Sequence, residues 1–155
     1  MQCHIHAIGD TVDTWCKDGI HFYKKRFTYP FTLEIFTYPT PKRSTHLGQQ
    51  DYLEKEKTQL LENIRSNDIV VCLDERGQSL SSLEFAHKLS QWQHESSRVC
   101  FLIGGPDGHH SATRESARLM LSLSSFTLPH GLARLVLVEQ LYRAMSIAKN
   151  HPYHR

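Results

Sequence analysis

The chain has no Cys-x-x-Cys pair, no Gly-Lys-Ser/Thr phosphate loop and no Gly-x-Gly-x-x-Gly fingerprint. A zinc ribbon, a thioredoxin-type redox site and a Walker-type nucleotide site therefore have no support. No apolar run approaches the roughly 18 residues of a spanning helix, so no membrane partner is expected. The start, Met1-Gln2-Cys3-His4-Ile5-His6, carries neither the basic region nor the apolar core of a secretory signal, and a cytoplasmic address is expected. Cysteine is sparse and scattered. Cys3, Cys16, Cys72 and Cys100 share no close spacing and read as reduced thiols with packing roles. A large excess of one charge sign is missing too. Against 18 Lys and Arg stand 16 Asp and Glu, a net +2 that on its face argues against a dedicated nucleic-acid binder.

What is present fits one domain over residues 1–155, with 39% apolar and 22% charged residues and enough length for a sizeable core. The charge is uneven. Residues 1–70 balance, but from Ala117 onward five bases (Arg118, Arg134, Arg143, Lys149, Arg155) face one acid, Glu139. That local +4 suits an anionic partner.

Hydrophobic spacing alternates between strand and helix. Residues 3–8 alternate and stop at Gly9-Asp10, predicting a strand. Val12, Trp15, Ile20, Tyr23 and Phe27 recur at helical spacing. A β-branched and aromatic stretch at 32–37 predicts a second strand, a polar loop follows over 40–50, and Tyr52, Leu53, Leu60, Leu61 and Ile64 mark a helix. The runs 69–73 and 99–103 read as strands covered on both faces. Ser81 and Glu84 form a capping box for a helix through Trp92. A short helix is predicted over about 112–120 behind Ser111, a last strand or extended loop over 123–128, and a final helix over 131–148. The order argues for a three-layer α/β fold with a mostly parallel sheet. Twelve of seventeen positions from Leu132 to Ala148 are apolar, more than one face on a sheet needs. A central core helix or a helix in a homodimer interface would explain that excess equally, and a homodimer is expected.

Two loops follow buried strands and should share one sheet edge: Leu73-Asp74-Glu75-Arg76-Gly77 and Gly104-Gly105-Pro106-Asp107-Gly108. Each fits a surface turn, and each fits a ligand loop whose glycines admit a close approach; the pair is better support for a site than either alone. His109 and His110 read as exposed loop histidines. His4 and His6 share one strand face without an apparent third ligand, so no metal is expected. The end, His151-Pro152-Tyr153-His154-Arg155, offers a stacking face, a proton acceptor and an anion clamp, or simply a tail docked by Tyr153.

Taken together, Leu102-Ile103-Gly104-Gly105-Pro106-Asp107-Gly108, Ser122-Leu123-Ser124, Leu128-Pro129-His130, Leu141-Tyr142-Arg143-Ala144 and Asn150-His151-Pro152-Tyr153-His154-Arg155 resemble one family. It is the SPOUT-class methyltransferases that act on N3 of a pseudouridine in bacterial large-subunit (23S) ribosomal RNA. The resemblance covers the whole chain and is most specific toward its end, departing mildly at Asp107 and at His109-His110. It implies an α/β domain with a C-terminal trefoil knot and a homodimer through the last helix. It implies S-adenosylmethionine as cofactor, with S-adenosylhomocysteine as product, held by Leu73, Gly104, Leu123, Ser124, Ser125, Phe126, Thr127 and Leu128. His154 is then the candidate base or proton relay, Tyr153 a group that stacks on or hydrogen-bonds the target base, and Arg155 a phosphate clamp; Arg134, Arg143 and His151 are candidate RNA contacts, with a structural ion-pair role equally open for Arg134 and Arg143. Assembled ribosomes are the expected substrate. The rivals are a SPOUT enzyme acting on transfer RNA and a ribosome-binding knot protein without chemistry.

Overall fold

A continuous apolar run over 99–103 forms the middle of the sheet. β4 (Arg98–Ile103) is buried at all six positions, between β1 (Gln2–Ile8) and β3 (Ile69–Ser79). Outside these lie β2 (Thr32–Tyr38) beside β1 and β5 (Leu119–Ser122) beside β3. The order is β2-β1-β4-β3-β5 and every pairing is parallel. The helices between them are α1 (Thr14–Lys24), α2 (Gln49–Leu61), α3 (Ser82–Glu95), α4 (Ser111–Glu115) and α5 (His130–Ala148), with a 3₁₀ turn at Pro152–His154. The computed structural model describes residues 1–154, with side chains through Tyr153.

Strand periodicity assigns the two faces. Cys3, Ile5 and Ala7 join Phe85 and Leu89 of α3 and Leu137, Val138 and Leu141 of α5 in the larger core. Ile8, Val70, Cys72 and Leu102 meet Leu60 of α2 on the opposite face. The three-layer α/β arrangement read from the sequence is thus what the chain forms. Fully burying each of the Val, Leu, Ile and Phe side chains among these stabilises the fold by about 1.5–3 kcal/mol. All four cysteines are free and buried, and burial pushes the thiols of Cys3, Cys72 and Cys100 up to about 12, which favours the protonated form of these three unless a metal binds.

The apolar surplus of α5 is spent largely within the chain. The helix packs against α1, α3 and the 3₁₀ turn. A side chain at Gly19 of α1 would meet Leu135 Cδ1 at 2.9 Å, so the bare glycine sets how closely α1 and α5 approach. Leu132, Leu135 and Val136 stay half-buried. Trp15, read as part of the α1 apolar stripe, is 57% exposed.

The capping box forms as read: Ser81 Oγ accepts from the Glu84 amide at 3.2 Å and Glu84 Oε2 from the Ser81 amide at 2.7 Å. Three boundaries differ. β3 continues past Asp74 to Ser79 through a register irregularity between Leu73 and Gln78. A Cβ at Gly77 would lie 2.7 Å from the Met120 carbonyl carbon, so glycine is required for that contact. α4 is capped not by Ser111 but by His110, whose Nδ1 accepts from the Ala112 amide at 3.1 Å. It ends after five residues because the Arg118 amide bonds to Val70 O at 2.8 Å and turns the chain into the sheet. The last strand is therefore 119–122, and residues 123–129 form a loop. No helix among the described residues is long and apolar enough to cross a membrane.

Candidate active site at the carboxyl ends of the strands

Parallel strands place their following loops on one edge, where open α/β folds take ligands. Here three segments converge around a cavity of about 470 Å³: 73–76 from β3, 103–108 after β4 and 121–128 from β5 onward, with Gln49 of α2 and His130 and Ala133 of α5. Leu73, Ile103, Leu121, Leu123 and Leu128 give it apolar walls, and Asp74, Glu75, Ser122, Ser124 and Thr127 give it polar ones.

The Gly-Gly-Pro-Asp-Gly loop is held tightly by its own chain. The Gly108 amide closes a turn on Gly105 O at 3.0 Å, and Gly108 has φ +80°, which favours glycine. A Cβ at Gly104 would collide with Gly108 O, and one at Gly105 with the carboxylate of Glu56. The glycines at 104 and 105 are thus demanded by protein atoms, in keeping with the tight-turn alternative of the sequence reading, while both still line the cavity. Glu56 is buried, accepts from the Gly105 amide at 3.3 Å, and has its pKa raised by burial against the opposing effect of that amide. Asp107 is tied to Arg43 and accepts from Gln49 Nε2 at 3.2 Å.

His109 is buried, not exposed as read. Its Nε2 donates to Leu73 O at 3.0 Å, joining the end of the regular β3 ladder to the turn. Burial lowers its pKa, and a carbonyl can only accept, so Nε2 carries the proton. His110, also read as exposed, is half-buried: it caps α4 and places Nε2 3.2 Å from Glu54 Oε2. Asp74 pairs with Arg76 and Arg114. Burial opposes its charge, but the hydrogen bonds from Arg76 outweigh it and hold the carboxyl below its ordinary pKa. At the rim Thr127 Oγ1 donates to Glu75 Oε2 at 3.3 Å, and the Phe126 ring is 80% exposed.

Of the residues read as cofactor contacts, Leu73, Gly104, Leu123, Ser124, Phe126, Thr127 and Leu128 line this cavity, and Ser125 is exposed beside it. Gln49, Glu56, Leu121, Ser122, His130 and Ala133 were not read as site residues. Glu56 lies in the charged run Glu54-Lys55-Glu56-Lys57 and carries no sequence signal of burial.

The end of the chain is docked elsewhere. Tyr153 packs edge-on to Tyr142 with centroids 4.7 Å apart, and its hydroxyl meets Tyr23 Oη at 3.1 Å and Glu139 Oε1 at 3.0 Å. Burial and those two bonds raise its pKa. Arg143 pairs with Glu139 and lies 4.9 Å over the Tyr153 ring. Tyr23, Glu139 and Tyr142 are not among the residues lining the cavity. His151 is exposed, and its Nδ1 accepts from the Tyr153 amide at 3.2 Å. Arg134 requires a correction as an RNA contact: it is 3% exposed and donates to Gly9 O at 2.8 Å, which makes it a structural residue. The His154 side chain and Arg155, read as base and phosphate clamp, lie outside the described residues.

Against known families, the model described as "Predicted SPOUT methyltransferase" matches residues 1–154. The chain belongs to the SPOUT methyltransferase family. Among its relatives is a protein named "Ribosomal RNA large subunit methyltransferase H" from Neisseria meningitidis serogroup C (strain 053442), 39% identical over 100% of this chain and 99% of the relative. One of the same name from Coxiella burnetii (strain Dugway 5J108-111) is 37% identical over 100% of both chains. In this SPOUT methyltransferase, the irregular stretch of β3 at 73–76 and the loops after β4 and β5 build the cavity.

Proposed function

We propose that this chain is an S-adenosylmethionine-dependent methyltransferase acting on N3 of a pseudouridine in 23S ribosomal RNA, on assembled ribosomes in the cytoplasm. The observation that carries this reading is the three-loop cavity, in a chain whose whole length aligns with relatives bearing a ribosomal RNA methyltransferase name. The donor set suits the cofactor. The volume lies in the about 300–1,000 Å³ range of small-molecule sites; leucine walls suit a flat aromatic ring, and the carboxylate of Glu75 suits a cation. Leu73, Gly104 and residues 123–128, Ser125 included, would hold it. When bound it supplies an electrophilic sulfonium methyl group.

The protein's own tasks are then to orient the target base and to take up the proton of its N3–H. Fixing the two reactants in line supplies several kcal/mol of the barrier. The neutral imidazole of His154 is our candidate for the proton acceptor. Tyr153 is read as stacking on the base, and His151 and Arg155, with Arg143 at the margin, as meeting phosphates. Because Tyr153 docks on Tyr142 and Glu139, away from the cavity of its own chain, the tail is read as serving the cavity of a partner copy. That makes a homodimer through α5 part of the proposal. So is one SPOUT domain over residues 1–155, with a trefoil knot formed where residues 119–130 pass from the β5 edge back to α5.

The deciding experiment measures labelled methyl transfer to assembled ribosomes, free ribosomal RNA and transfer RNA, each lacking the modification. Transfer confined to ribosomes and mapped to N3 of one pseudouridine supports the reading. Transfer to transfer RNA alone, or ribosome binding without transfer, replaces it with the corresponding rival.

A further inference from the structure

The sequence gives His4 and His6 no third ligand, and the expectation of no metal rested on that. The sheet supplies one. In the parallel register of β1 and β4, His4 stands opposite Cys100, and His6 shares the strand face of His4. One nitrogen of each ring and the Cys100 sulfur all lie within 4.8 Å of one another. His6 and Cys100 are fully buried and His4 is half-buried.

A second observation points to a ligand. The Nδ1 atom of His6 is engaged by the Tyr38 hydroxyl at 2.9 Å, and its Nε2 is buried with no hydrogen-bond partner among the described residues. Stacking against Phe36 at 4.9 Å accounts for the faces of this ring. It does not account for the bare nitrogen, because a buried polar atom without a partner is destabilising. The Tyr38 contact resembles the outer-sphere bond that orients metal-bound histidines.

We propose that His4, His6 and Cys100 bind one borderline-soft divalent transition cation, with zinc as the fitting ion. Two imidazoles and a thiolate select such an ion over magnesium or calcium. Ligand atoms on a tetrahedral zinc lie about 3.5 Å apart, so the set closes by about 1 Å around it. The Cys100 S–H bond gives way to a sulfur–metal bond and its proton leaves to solvent; both imidazoles bind neutral. The half-exposed side of His4 is the entry path and leaves a fourth position for water. The site lies on the α2 face of the sheet, outside the residues lining the cavity, and is independent of the methyltransferase reading.

The test uses the full-length protein stripped with a chelator, titrated with zinc in competition with a chromophoric chelator and separately with cobalt(II). One equivalent of zinc per chain and a near-ultraviolet sulfur-to-cobalt charge-transfer band are expected. Cys100→Ser removes the band, and His4→Gln, at a half-exposed position that does not threaten folding, weakens zinc binding at least about tenfold. A wild-type cobalt complex without that band overturns the proposal. So does zinc affinity unchanged in His4→Gln, since the ion then sits on other histidines of the eleven.

Discussion

A single carboxylate oxygen, Oε1 of Glu139, accepts from the Tyr153 hydroxyl at 3.0 Å and from Arg143 Nη2 at 2.7 Å. This shared acceptor fixes the end of the chain to the middle of α5. Tyr153→Phe keeps the ring and loses the hydroxyl's bonds, so it should lower stability by about 1 kcal/mol. The urea midpoint reports it, and an unshifted midpoint would show that the ring alone holds the tail.

Removal of residues 151–155 separates the tail from the cavity. Labelled transfer should vanish, while calorimetry with S-adenosylmethionine still detects binding, because Tyr153 docks on Tyr23, Tyr142 and Glu139, none of which lines the cavity. Parallel loss of both would make the tail a structural element.

His154→Ala tests the proton acceptor. Turnover should fall by about 10²–10⁴-fold, the usual contribution of a positioned acid or base, with a much smaller change in the KM for ribosomes. A rate within error of wild type removes this histidine from the mechanism.

Gly105→Ala forces a Cβ onto the buried Glu56 carboxylate. We expect a loss of about 1–3 kcal/mol and weaker cofactor binding through the displaced turn. Adding Glu56→Ala should recover part of both, a coupling that a double-mutant cycle resolves. Strict additivity would mean the two residues do not meet.

Asp68 and Arg98 form a pair in which both side chains are less than a tenth exposed. Burial opposes the Asp68 charge, but the hydrogen bonds from Arg98 and the Arg65 amide outweigh it and depress the pKa. A depressed carboxylate contributes stability in full above its unfolded value of about 3.9 and loses it as pH falls through the lower folded value. Arg98→Met leaves Asp68 buried and unpaired, which should cost about 3–5 kcal/mol at neutral pH. Protonation relieves the variant and penalises the wild type, so the gap between their urea midpoints should narrow below about pH 4. A pH-independent gap would assign the loss to packing instead.

Elements that make their own contacts were legible in the sequence. β1 shows alternation, β4 a continuous apolar run, and Ser81 with Glu84 a cap that needs only four residues. β5 was displaced because four residues carry no period of their own; Leu119–Ser122 is a strand because β3 lies beside it. The same logic governs the site. Leu73 and Gly104 were readable as residues that follow buried strands. Glu56 and His109 were not, since Glu56 is covered by the Gly105 turn and His109 is held against Leu73 of β3, contacts between distant parts of the chain. The three-way meeting of His4, His6 and Cys100 depends on register, which only the assembled sheet defines.

The strand order also sets a timetable. β1 and β2 leave the ribosome before the other strands, yet the inner edge of β1 stays open until β4, which begins at Arg98, has been made. The cavity waits longer, because its third wall belongs to β5 and the loop before α5. A nascent chain therefore exposes an unpaired apolar strand edge until β4 has emerged, and it gains the capacity to hold a small molecule only once β5 and the loop before α5 have followed.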